Sequence, residues 1–192
     1  SSNKKQNISR FINKLQFYFA KVNKNNYICN EKSNYMKELV IKSTIREAQL
    51  DELTAEERNL IQMAIEATGH SYAPYSHFRV GAAILLQNGQ TFVGCNQENA
   101  AFPSGICAER SAIFAAGAQC PDQPVTMLAI AARNEQGELQ EEPVSPCGPC
   151  RQVLIETETR FHQPVRILLY GEKRIYIVDS IKQLMPLSFT EF

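Results

Sequence analysis

No run of about eighteen apolar residues occurs anywhere in this chain, so nothing in it reads as a membrane-spanning helix. A cationic body is lacking as well. Residues 1–35 carry seven Lys or Arg against the single Glu31, which leaves thirteen basic and nineteen acidic side chains in the remaining 157 residues, a net charge of minus six. Sequence-independent binding to a phosphate backbone is largely cationic, so such a body suits a small neutral molecule better than a polynucleotide. Nothing resembling a signal peptide precedes the six cysteines, which argues against a framework of three disulfides, and 192 residues bury a core without such staples. With 44 % hydrophobic content and no tryptophan, the chain has the size of one domain with an appendage.

What is present is a cysteine pattern with one member missing. Cys107-Ala108-Glu109 is followed forty positions later by Pro146-Cys147-Gly148-Pro149-Cys150, which supplies three thiolates and one unattached carboxylate. Four cysteines would close a zinc site and make it structural. Three leave a position for water, whose pKa the metal lowers to about 7. Cys29, Cys95 and Cys120 lack a Cys-x-x-Cys companion and read as small buried residues rather than a fourth ligand. Glu109 stands two residues beyond a thiolate, within reach of a metal-held water but badly placed to ligate the same ion, as a general acid/base must be. The pattern therefore predicts one catalytic Zn2+ per chain held by Cys107, Cys147 and Cys150.

These residues, with Gly94-Cys95-Asn96-Gln97-Glu98-Asn99-Ala100 and Phe78-Arg79-Val80-Gly81-Ala82-Ala83, resemble the zinc-dependent cytidine deaminases of the small homotetrameric kind over residues 53–189. The resemblance implies a three-layer α/β/α sandwich and hydrolytic deamination of cytidine and 2′-deoxycytidine in pyrimidine salvage. In that chemistry zinc-activated hydroxide attacks C4 while Glu109 delivers the water's proton to N3 and a second proton to the departing amino group. It further implies that Asn96 and Glu98 hydrogen-bond the ribose 3′-hydroxyl, that Phe78 packs against the pyrimidine, and that Ala108 and Phe102 contact substrate. Phe189 would reach into a neighbouring subunit's site, and Arg110 would hydrogen-bond ligand sulfurs. Without the resemblance, Asn96 and Glu98 read as turn residues and Phe78 as core. Arg110 and Arg151 are the cations available to offset the net negative charge of zinc with three thiolates.

The periodicities predict alternating helices and strands. Thr54-Ala55-Glu56-Glu57 forms a capping box, and Leu60, Ile61, Ala64 and Ile65 continue a helix ending near Gly69. Strands are expected at 80–86 and 91–94, joined through Asn88-Gly89, which accepts the positive φ angles of a tight hairpin turn. A helix at 107–117, a strand at 126–132, a helix at 149–156, strands at 165–169 and 174–178, and a last helix from Ser180 to before Pro186 complete the pattern. This is an α/β domain with a mixed five-stranded sheet. Each cysteine group falls at a helix N-terminus, where free N–H groups favour thiolates.

Residues 1–35, with eight of the chain's asparagines against five in the rest, read as an appendage, either a tail or a start-site artefact, and 36–192 as the deaminase domain. Phe11, Ile12, Leu15, Phe17, Tyr18, Phe19 and Val22 would allow a partner-binding or membrane-surface turn, and the dearth of acids a targeting peptide. Two departures from the family stand out: Arg79 where Pro is common, and Phe102 where Tyr is common. The stretch 119–144, acidic at 138–142, is longer than usual. Cys107 in place of His, together with the acidic body, argues against nucleic-acid editing, and the Asn96/Glu98 pair favours a plain nucleoside. A zinc-stabilised interaction module is the non-enzymatic alternative. Reactive thiolates suit a reducing, cytoplasmic setting.

Overall fold

Alternating burial along the strands shows how the layers are assembled. The computed structural model describes residues 37–190, so the extension expected at 1–35 lies outside the described residues. Along β2 (Arg79–Leu86), Ala82, Ile84 and Leu86 face one hydrophobic cluster while Ala83 and Leu85 face another. The same alternation runs through β4 (Val125–Arg133) and β5 (Arg166–Tyr170), as a sheet covered on both faces requires. Helix α1 (Ala55–Ala67) covers one face with Leu60, Ile61 and Ala64. Helices α2 (Ala108–Gln119) and α3 (Gly148–Phe161) cover the other with Ala112, Ile113, Leu154 and Ile155. The result is the expected α/β/α layering. No helix among the described residues is long and apolar enough to cross a membrane.

The sheet has six strands, one more than the five expected, in the order β1 (Arg46–Ala48), β6 (Ile175–Val178), β5, β4, β2, β3 (Thr91–Cys95). The extra strand, β1, pairs antiparallel with β6. Three residues, two of them charged and exposed, carry no period from which a strand could be read; pairing with an exposed sheet edge creates it. β4 and β5 are parallel, and the other neighbouring strands are antiparallel.

The capping box forms as expected: Thr54 Oγ1 accepts from the Glu57 N–H at 3.2 Å, and the Thr54 N–H donates to Glu57 Oε2 at 2.8 Å. The hairpin between β2 and β3 departs from the two-residue turn. Gly89 alone takes a positive φ, 85°, because Asn88 instead accepts the Gln90 N–H through its side-chain Oδ1 at 3.0 Å, and the Leu86 N–H closes a three-residue loop on Gln90 O. Helix α3 runs to Phe161, five residues past the expected end, and stops at His162 in a left-handed conformation. The last expected helix is a single 3-10 turn, Ile181–Gln183. Its N–H at Ile181 is taken by buried Glu158, and Pro186 blocks continuation.

Candidate active site

Both helices that carry the cysteine motifs start the same way. Cys107 and Cys147 are the N-caps of α2 and α3, each in an extended conformation and neither making a side-chain cap hydrogen bond. The orphan N–H groups of the first turns and the positive ends of both helices are thus left to the sulfurs. The fold brings Cys107, Cys147 and Cys150 together, their sulfurs all within 4.8 Å of one another, and no fourth His, Cys, Asp or Glu joins this group among the described residues. Cys107 Sγ lies 3.6 Å from Cys147 Sγ, which lies 3.4 Å from Cys150 Sγ.

Tetrahedral Zn–S bonds of about 2.3 Å separate sulfurs by roughly 3.8 Å, so this spacing fits the ion after small adjustments. The charges point the same way. A hydrogen bond from Cys150 pulls the Cys107 thiol down to about 5 against the opposing effect of burial, with Arg110 assisting. Cys150 moves upward, because it donates a hydrogen bond to Cys107, which keeps it protonated, and is buried beside Glu109. The trio therefore holds negative charge readily on one sulfur and resists it on the next, which a divalent cation would resolve.

Glu109 is 4 % exposed, and burial raises its carboxyl above the ordinary range. The Cys107 charge adds to the rise, while the residue's own N–H, the Cys150 thiol and Arg110 oppose it. Arg110 places Nη2 3.9 Å from Cys107 Sγ, and its buried Nε has no hydrogen-bond partner among the described residues. Arg151 is directed elsewhere: it donates to Pro146 O at 2.8 Å, Leu184 O at 3.0 Å and Ser145 Oγ at 3.0 Å, tying down the loop before Cys147.

Beside the cysteines opens a cleft of about 520 Å³ whose lining includes Asn96, Glu98, Phe102, Cys107 and Arg110. Asn96 gives Nδ2–H to Phe78 O at 2.9 Å and accepts the Val80 N–H through Oδ1 at 2.8 Å, so it clamps the start of β2. Glu98 accepts from the N–H groups of Tyr75 and Ser76 and from the Ser76 hydroxyl. The Ser76 hydroxyl above all holds this carboxyl below the ordinary range against slight burial.

Phe102 is 74 % exposed and meets Tyr75 edge to face, with ring centroids 5.8 Å apart. Phe78 is half-buried and joined to the cleft through Asn96, and Ala108 is wholly buried at the first position of α2. Phe189 is exposed and does not line the cleft; its carbonyl accepts from Gln152 Nε2 on α3 at 2.8 Å. Tyr75 and Ser76 have no sequence signal as cleft residues, since their partner Glu98 lies more than twenty residues away.

The expected buried positions of Cys95 and Cys120 are only half-buried. Cys95 accepts from Gln97 and Cys120 donates to Gln90, while Cys29 lies outside the described residues. In the 119–144 stretch, the turn at 134–137 closes with Gly137 at φ 83°. The following segment then crosses the β5–β6 turn, where Glu172 N and Lys173 N donate to Gln140 O and Glu141 O.

Residues 54–162 match the zinc-binding region of cytidine and deoxycytidylate deaminases. A cytidine deaminase of Halalkalibacterium halodurans is 41 % identical over 139 residues, covering 68 % of this chain and 92 % of that protein. One from Mycobacterium tuberculosis is 37 % identical over 112 residues, covering 57 % and 79 %. The crystal structure of cytidine deaminase from Burkholderia pseudomallei superposes with a TM-score of 0.60 at 34 % identity, covering 71 % of this chain and all of that one. With its three sulfurs gathered beside a buried glutamate and this breadth of likeness, the chain belongs to the cytidine and deoxycytidylate deaminase family.

Proposed function

We propose that this protein is a zinc-dependent hydrolase converting cytidine and 2′-deoxycytidine, with water, to uridine and 2′-deoxyuridine plus ammonia, in pyrimidine salvage. The observation that carries the reading is the convergence of three sulfurs from two helix N-termini beside buried Glu109. Cys107, Cys147 and Cys150 hold one Zn2+ per chain. When bound, the ion would lower the pKa of a water enough for it to serve as a nucleophile at neutral pH.

The remaining work falls to the chain. Glu109, in a site that disfavours a bare carboxylate, accepts the water's proton, passes it to ring N3 and carries a second proton to the departing amino group. Arg110 beside Cys107 offsets the excess negative charge of the thiolates. Asn96, with one amide hydrogen not used by Phe78, and Glu98 bind the ribose 3′-hydroxyl. Phe78 and Ala108 bound the base, and Phe102 borders the cleft. Phe189, held on the outside of its own subunit, completes a neighbour's site in a homotetramer. Thiolate ligands persist in a reducing cytoplasm, where we place the enzyme.

Ultraviolet absorbance of cytidine incubated with zinc-loaded protein tests the reading, with Glu109→Gln alongside. The parent is expected to bleach the cytidine band. The variant is expected to bind zinc equally and lose turnover by several orders of magnitude. A zinc-loaded Glu109→Gln with near-parental turnover would refute the role of Glu109.

A further inference from the structure

The hydrogen bonds around Glu98 are divided unequally between its two oxygens. Oε2 accepts two backbone N–H groups, from Tyr75 at 2.9 Å and Ser76 at 3.2 Å. Oε1 accepts the Ser76 hydroxyl at 2.5 Å and, with two lone pairs, retains room for one more donor. The Ser76 oxygen in turn accepts the Phe78 N–H at 3.1 Å, which leaves its proton to point at Glu98. His77, between them, takes a φ of 57°, in the left-handed region that turns the chain back far enough for this contact. One hydroxyl therefore links the carboxylate at the cleft to the backbone of the residue assigned to the base.

We propose that Ser76 is a positioning residue that aims Glu98 Oε1 at the nucleoside 3′-hydroxyl and so sets the preference for sugars that carry it. The inference rests on the assignment of Glu98 as a sugar ligand in the proposed function. Other bonds hold the backbone here without the hydroxyl. Tyr72 N donates to Asn96 O at 3.0 Å, Glu98 N donates to Tyr72 O at 2.8 Å, and Asn96 clamps Phe78 and Val80. Removing the hydroxyl leaves Glu98 held through Oε2 alone, free to pivot about it. The loss falls on substrate binding through Oε1 and leaves the zinc cysteines and Glu109 untouched.

Steady-state kinetics of the zinc-loaded full chain on cytidine and 3′-deoxycytidine test this. Ser76→Ala is expected to raise KM for cytidine roughly tenfold, the scale of one hydrogen bond to a charged group. Its kcat stays near the parent's, and KM for 3′-deoxycytidine does not move. Ser76→Thr, which keeps the hydroxyl, restores the cytidine KM. An equal rise in KM for both nucleosides, or a loss confined to kcat, overturns the assignment. Should Ser76→Ala fail to fold, Ser76→Cys provides a weaker donor of similar size; an intermediate rise for cytidine alone supports the proposal, and no selective rise overturns it. A parent inactive on both nucleosides overturns the deaminase reading and this inference with it, whereas an active parent with a Ser76 effect blind to the 3′-hydroxyl overturns this inference alone.

Discussion

Glu57, Glu109 and Glu158 are all buried, and what distinguishes them is how many donors each has been given. Glu158 accepts the N–H groups of Val165 and Ile181 and the Ser180 hydroxyl, so it joins the end of α3 to two later segments. Glu57 accepts from Thr54 and pairs with Arg166 at 2.7 Å. Burial pushes its carboxyl up, yet these donors outweigh burial and leave it below the ordinary value. Glu109 has its own N–H and a thiol, and its carboxyl rises. A carboxylate left short of donors beside three sulfurs is the one fitted to exchange protons. The sign for Glu57 follows from linkage: a depressed folded-state pKa stabilises the protein above the ordinary carboxylate range, and that stability is lost as pH falls through the depressed value. Glu57→Gln is expected to cost about 1–3 kcal/mol near neutral pH, and the gap from the parent in urea unfolding should close as the pH is lowered. A gap of constant size down to strongly acidic pH would show that the charge on Glu57 contributes nothing.

Among the elements, α2 bears the most on the site, since Cys107 is its N-cap and Glu109 and Arg110 lie on its first turn. What sets its distance from the sheet is Gly94 on β3. A Cβ at that position would stand 2.4 Å from Ala108 O and 2.5 Å from Ala112 N, both in the helix backbone, which cannot yield as a flexible side chain would. Gly94→Ala is therefore expected to push the N-terminus of α2 outward. It should reduce zinc retention during gel filtration and lower the melting temperature by several degrees, an effect of about 1–3 kcal/mol. Unchanged zinc content in a folded variant would mean that helix and strand separate without disturbing Cys107. The same close approach explains why the segment Gly94-Cys95-Asn96 stands beside Cys107-Ala108-Glu109 in space: the strand that ends at Cys95 delivers Asn96 and Glu98 to the cleft that α2 borders.

For the whole molecule, the proposed sharing of sites between subunits places Phe189 and Glu109 of one working site on different chains. Phe189→Ala and Glu109→Gln should then each give an impaired enzyme. Mixing the two variants under conditions that exchange subunits should restore part of the activity, because some sites would combine an intact Glu109 with an intact Phe189. Mixtures no more active than the sum of their parts, with exchange confirmed by mass, would place Phe189 outside the shared site.

The Cys147/Cys150 pair and the helix starts that carry the cysteines were legible along the chain because both are local features, set by residues within one turn of each other, whereas only folding brings Cys107 to them. The five longer strands and three helices were legible for the same reason, since burial on one face imprints a period on the sequence. Tertiary structure decided what depends on a partner distant in the chain. β1 exists because β6 offers an edge to pair with, and the last expected helix gave way because Glu158 and Pro186 hold its start and end. Ser76 meets Glu98, and Arg151 ties a loop to Leu184 instead of facing a sulfur, because folding brings together side chains whose spacing in sequence carries no trace of the meeting.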